Sequence, residues 1–123
     1  MGKRIIICDD QRLTKQVLSD ILTEAGYEVI GVASNGVEGC NLYRELHPDL
    51  VIMDINMPEM DGVQALSEIR KEDENAAVVM CSSESQPQTV INTLKGGAKD
   101  FIIKPFRAKR VLDVVSGVIG IPS

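Results

Sequence analysis

The sequence predicts an α/β fold, one parallel sheet of five strands with helices on both of its faces. Three observations carry this. Apolar runs of strand length alternate with stretches of helical period along the whole 123-residue chain. The runs are continuous and rich in β-branched residues, as strands buried on both faces are. Glycine, proline or asparagine stands at most of the points where the period changes.

Arg4–Cys8 (RIIIC) is the first strand. Leu13, Val17, Leu18, Ile21, Leu22 and Ala25 then recur at helical spacing, and Gly26 ends that helix as a residue just past the C-cap does. Glu28–Ala33 is the second strand. Asn35-Gly36 turns into a helix with Val37, Cys40, Tyr43 and Leu46 facing inward, and Pro48 stops it. Leu50–Met53 is the third strand, Met57–Gly62 a loop, and Val63, Leu66 and Ile69 mark the third helix. Ala76–Cys81 is the fourth strand. Pro87 fits the first turn of a fourth helix, with Val90, Ile91 and Leu94 inward and Gly96-Gly97 closing it. Phe101–Ile103 is the fifth strand. Arg107–Ile119 is the fifth helix, with Val111, Leu112, Val115, Val118 and Ile119 on its apolar side, and Gly120–Ser123 is a short tail.

Five βα units in succession with right-handed crossovers leave few topologies. The expectation is a flavodoxin-like (βα)5 three-layer sandwich with strand order 2-1-3-4-5. Residues 1–123 are expected to form one domain, since that length buries roughly two thirds of the unfolded chain's surface without staples. Aromatics are only 3% of residues, so Ile, Leu, Val, Met and Ala must fill the core.

Charge and cysteine usage exclude several functions. The net charge of −5, with scattered basic residues, argues against a nucleic-acid partner or an anionic membrane surface. No segment reaches the roughly 20 apolar residues of a membrane span, and the first apolar run is too short for a secretion signal. The three cysteines, Cys8, Cys40 and Cys81, are odd in number and lack metal spacing, which points to free thiols in a cytoplasmic setting.

In such a sheet, ligands bind at the carboxyl ends of the strands. Asp9 and Asp10 follow the first strand, Asp54 the third, Ser82 and Ser83 the fourth, and Lys104 and Pro105 the fifth. Singly, each has an ordinary reading as a cap, a turn or a solvated lysine. Their joint arrival at one rim is what those readings leave unexplained. Three close carboxylates repel unless a divalent cation sits among them. Mg²⁺ suits them, because it takes one or two protein carboxylates, keeps waters and shares phosphate oxygens. Asp9, Asp10 and Asp54 can serve as ligands, with the backbone carbonyl of Asn56 as a further one. A carboxylate beside Mg²⁺ can attack phosphorus and form an aspartyl phosphate, with Lys104 and Ser82 contacting the phosphoryl oxygens. An EF-hand loop is set aside, because Pro58 replaces its third ligand. The single histidine, His47, precedes a strand and so lies at the opposite rim.

The runs Ile5-Ile-Ile-Cys-Asp9-Asp10, Asp54-Ile-Asn-Met-Pro58-Glu-Met-Asp-Gly62, Cys81-Ser82-Ser83 and Lys104-Pro105-Phe106 together resemble the receiver domain of bacterial response regulators. The resemblance spans essentially the whole chain, in order. It implies that Asp54 is the phosphoacceptor. It also implies that Asp9 and Asp10 hold Mg²⁺, with Asp10 the direct ligand of the two, and that Asn56 ligates through its carbonyl. Lys104 would contact the phosphoryl group, with a cis bond before Pro105. Ser82 would move toward the phosphate, and Phe101 would change rotamer with it. Ser82 stands where threonine is commoner. Ser83 stands where alanine is usual, beside the site's entrance, and is expected to slow donors or water. Asn56 and Glu84 fall at positions that tune dephosphorylation.

The resemblance thus implies a phosphoacceptor switch rather than an enzyme. With only the tail Gly120–Ser123 after the fifth helix, no output domain is expected and the output is expected to be protein binding; a monomer is expected. A histidine kinase is the implied donor and a flagellar motor switch protein, in chemotaxis, the implied target. The rivals are a receiver passing phosphate to a histidine phosphotransfer protein, a receiver from a longer transcription regulator, and an aspartyl-phosphate hydrolase. The last would want a second acid where Asn56 stands.

Overall fold

The computed structural model describes residues 3–122. Its strands are β1 (Arg4–Cys8), β2 (Glu28–Ala33), β3 (Leu50–Met53), β4 (Val78–Ser82) and β5 (Asp100–Ile103). They alternate with helices α1 (Arg12–Glu24), α2 (Gly36–Leu46), α3 (Gly62–Glu72), α4 (Pro87–Lys95) and α5 (Ala108–Ile119). All strand pairs are parallel, in the order β2-β1-β3-β4-β5. The expected topology is therefore the observed one. From β1 the chain goes one way to β2 and then back across to β3, so the switch point lies where β1 and β3 end side by side.

Strand alternation divides the apolar residues between two cores. Ile5, Ile7, Leu50, Ile52, Val79 and Ile102 pack under α1 and α5, which contribute Leu18, Leu22, Val111, Val114 and Val115. Ile6, Cys8, Val51, Met53, Met80 and Phe101 pack under α2 and α3, with Val90 of α4 against their edge. Buried on both faces, β1, β3 and β4 are held rigidly, and so are the residues at their carboxyl ends. Local chemistry fixes the helix ends. Asn35 caps α2 by accepting from the Glu38 N–H (2.9 Å). Asp61 and Gln64 form a reciprocal capping box on α3. Gly26 follows α1 at φ 103°, a conformation glycine adopts at no steric cost.

Several expected details differ. Leu13 is 75% exposed, and Val17 is also turned out. At 100° per residue Leu13 lies about 140° round the helix from Leu18, so the apolar arc of α1 is wider than the strip the sheet covers. Val37 and Val63, in the first turns of α2 and α3, are exposed for the same reason. On α4, Ile91 and Leu94 face solvent, and Val90 packs inward beside the buried Thr93, whose hydroxyl donates to the Val90 carbonyl (2.8 Å). On α5 the expected apolar side omitted Val114, which is buried, whereas Leu112 is only half-buried. The fourth strand runs from Val78 to Ser82, two residues later at its start than expected, because the apolar Ala76 belongs to the preceding turn. The fifth strand gains Asp100, and Arg107 is the N-cap of α5 rather than its first residue. The tail is described to Pro122; Ser123 lies outside the described residues. Cys8, Cys40 and Cys81 are free and buried.

Candidate functional site

The polar residues at the strand ends converge as expected. β1 delivers Asp9, whose amide donates to the Ala33 carbonyl (3.0 Å), and β3 delivers Asp54, whose amide donates to the Cys8 carbonyl (2.9 Å). Sheet hydrogen bonding thus continues through both aspartates and brings their side chains together. One carboxylate oxygen each from Asp9, Asp10 and Asp54 lie within 4.8 Å of one another. Asp9 (1% exposed) and Asp54 (5%) are buried, while Asp10 is exposed at the mouth of the cluster.

β5 contributes the cation. The Lys104 amide donates to the Ser82 carbonyl (3.0 Å), and its ammonium reaches Asp9 Oδ2 at 2.7 Å and Asp54 Oδ2 at 3.2 Å. The Lys104–Pro105 bond is cis. Asp9 Oδ1 accepts from the Gln11 amide (2.8 Å), and Asp54 Oδ1 is approached by the Asn56 amide (3.4 Å). Burial pushes the Asp9 carboxyl above the ordinary aspartate value, and the hydrogen bonds from Lys104 and Gln11 only partly offset this. Burial opposes the Lys104 ammonium, but its hydrogen bond to Asp9 and the charge of Asp54 outweigh that and raise its pKa. One ammonium therefore faces three acids, two of them desolvated. The remaining negative charge and the all-oxygen donor set fit a hard divalent cation such as Mg²⁺, which Asp9, Asp10 and Asp54 could hold.

Ser82 is the last residue of β4 and is fully buried; its Oγ accepts from the Glu84 amide (3.2 Å). Met80 pairs with Phe101 and Ser82 with Ile103, so Ser82 and Phe101 share one face of the sheet. Phe101 is buried. It also lines a cavity of about 440 Å³ between β5 and α5, with Ile103, Phe106, Lys109 and Arg110. Ser83 is exposed. His47, exposed at the C-cap of α2, is at the far end of the sheet as expected. Residue-type reasoning missed the Gln11 amide, because a backbone donor leaves no mark in a sequence. It also missed the contact of Gly36 with the loop after Asp54, for which the Asn35-Gly36 pair signalled only a turn.

A parallel five-stranded sheet whose carboxyl edge gathers an acidic triad, a lysine and a hydroxyl defines a receiver. The model of the response regulator receiver domain matches residues 5–116, and the chain belongs to that family. It is 51% identical over 118 residues to the chemotaxis protein CheY of Thermotoga maritima, covering 96% of this chain and 98% of that protein. It is 47% identical over 116 residues to the CheY of Bacillus subtilis, covering 94% and 97%. Among solved structures it resembles Borrelia burgdorferi CheY, crystallised in complex with CheX, BeF₃ and Mg²⁺, with TM-score 0.93 and 38% identity over 94% of this chain and 88% of that one.

Proposed function

We propose that the protein is a response regulator that takes a phosphoryl group on Asp54 from a histidine kinase and signals through a phosphorylation-dependent protein-binding face. The observation that carries this reading is the three-carboxylate cluster within 4.8 Å with Lys104 on two of its members. Mg²⁺, when bound, supplies neutralisation of the charge on the phosphoryl oxygens and of the acids around it. Asp9, Asp10, Asp54 and the Asn56 carbonyl would hold it.

Asp54 is suited to attack because burial and the Asn56 amide fix its carboxylate. One Asp54 oxygen forms the new bond to phosphorus while the P–N bond to the donor imidazole breaks, its electron pair leaving on nitrogen. Lys104 keeps its ammonium near the Asp54 oxygen and meets the charge that arrives there. The phosphoryl group brings up to about two negative charges and three acceptor oxygens. The Ser82 hydroxyl, now an acceptor for the Glu84 amide, can turn and donate to one of them. Phe101 shares that side of the sheet and would fill the space Ser82 leaves, reshaping the cavity it borders against α5. The change is a shift between two pre-existing conformations, as large as the phosphate's preference for one of them.

The CheY relatives, chemotaxis proteins by name, support chemotaxis as the setting. A flagellar motor switch protein in the cytoplasm is the target this reading proposes. No helix among the described residues is long and apolar enough to cross a membrane. The Borrelia complex supports Mg²⁺ and a protein partner. The test is incubation with acetyl phosphate and Mg²⁺ followed by intact mass measurement. One phosphoryl addition is expected, lost with EDTA and in Asp54→Asn. An addition that survives in Asp54→Asn, or none at all, overturns the reading.

A further inference from the structure

We propose that Gly36, at the first turn of α2, is a positioning residue that clamps the loop after Asp54 and thereby sets the affinity of the acidic cluster for Mg²⁺. This rests on the function proposed above and extends it to a residue outside the carboxylate cluster.

The loop from Ile55 to Asp61 joins β3 to α3 and carries Asn56. Its base is closed by the Gly62 amide donating to the Ile55 carbonyl (2.8 Å). Within it, the Met60 amide donates to the Pro58 carbonyl (2.7 Å), and Glu59 takes a left-handed φ of 66°. Its tip is tied to another element at one point. The Gly36 amide donates to the Met60 carbonyl (2.9 Å), and among the described residues this is the sole backbone hydrogen bond from residues 56–60 to a different element. The Met60 side chain adds to the tie, its Sδ standing 3.9 Å from Cys40 Sγ one turn further along α2.

The approach is close enough to exclude a side chain. A Cβ on Gly36 would collide with the Met60 carbonyl oxygen and stand 2.9 Å from its carbonyl carbon and 2.8 Å from Cγ. The first two are backbone atoms, so the loop itself must shift, and Asn56 is on that loop. The neighbouring Gly39 offers a contrast. A Cβ there would meet Cys8 Sγ at 2.8 Å and Met53 Cε at 3.8 Å, both side-chain atoms of the core. Outer groups that orient metal ligands typically carry on the order of tenfold in affinity.

The experiment compares Gly36→Ala with Gly39→Ala, both shown to be folded by circular dichroism at the temperature used. Mg²⁺ binding is measured by calorimetry and urea stability in parallel. Gly36→Ala is expected to weaken Mg²⁺ binding on the order of tenfold, while Gly39→Ala loses stability with its Mg²⁺ affinity kept. Equal Mg²⁺ affinities in the two variants overturn the clamp. Coupling is reciprocal, so the wild-type protein offers a second readout if Gly36→Ala does not fold. Mg²⁺ is expected to slow hydrogen exchange of the Gly36 amide beyond the change at the Gly39 amide, and an unaltered Gly36 rate overturns the proposal. Wild-type protein that binds no Mg²⁺ removes the underlying function instead, so the two failures are distinguishable.

Discussion

The Lys104 ammonium spans two carboxylates from different strands, 2.7 Å from Asp9 Oδ2 and 3.2 Å from Asp54 Oδ2. It is the cation that lets two buried acids sit together. Lys104→Met is expected to cost roughly 3 kcal/mol, the lower end for removing one partner of a buried ion pair. Urea unfolding at pH 7 without divalent ions checks this. Added Mg²⁺ should recover part of the loss, and a deficit that Mg²⁺ leaves untouched contradicts the assignment. Because the Lys104 pKa is raised in the folded protein, its stabilisation is present below the ordinary lysine value of 10.5 and lost as pH rises through the higher folded value. That alkaline loss should be absent from Lys104→Met.

Asp9 has the opposite sign. Its folded pKa lies above the ordinary 3.8, mainly through burial. Between the two values the folded protein holds a proton that the unfolded chain lacks, so ionising Asp9 costs stability as pH rises through that window. Mg²⁺ competes with this proton. Its affinity is expected to climb with pH above 3.8 and then level off once Asp9 is ionised. Calorimetric titration across the acid range measures this, and an affinity independent of pH from the ordinary aspartate value upward contradicts it.

The Ser82 hydroxyl is buried and accepts from the Glu84 amide at 3.2 Å. Ser82→Ala is expected to cost about 1 kcal/mol, one intramolecular hydrogen bond. Asp54 should still take up a phosphoryl group, because the hydroxyl supplies neither nucleophile nor metal ligand. The response at Phe101, followed as a change in its ring NMR signals with a beryllofluoride mimic, should be lost. Full retention of that response removes Ser82 from the switch.

Away from the site, the Tyr43 hydroxyl donates to Asp73 at 2.7 Å and ties α2 to the end of α3. Tyr43→Phe is expected to cost about 1 kcal/mol and to leave Mg²⁺ affinity unchanged. Weaker Mg²⁺ binding in this variant would mean that the α2–α3 contact acts on the site as a whole rather than through Gly36.

How much of this was legible in the sequence follows from the physics of each element. The continuous runs Arg4–Cys8 and Leu50–Met53 announced doubly buried strands, and the order of βα units then fixed the rim on which Asp9, Asp54, Ser82 and Lys104 meet. Helix faces were less legible. Leu13, Ile91 and Leu94 keep the helical period yet face outward, because period alone does not say how wide a strip the sheet covers. Thr93 and Val114 were missed for the same reason, each lying on the covered strip. Ser82 was read as lying past its strand, because a polar residue ends an apolar run although the backbone ladder continues to Ile103. The Gly36–Met60 contact was hidden for a different reason. It joins residues 24 positions apart through backbone atoms, and no pattern of side chains encodes it.

The most direct measurement is chemical location of the phosphoryl group. After reaction with acetyl phosphate and Mg²⁺, borohydride reduces an acyl phosphate to the alcohol, and peptide mass spectrometry finds the altered residue. Homoserine at position 54 alone is the expected result. Homoserine at position 9 or 10, or a phosphate that resists borohydride on Ser82, would contradict the assignment of Asp54 as the residue that is phosphorylated.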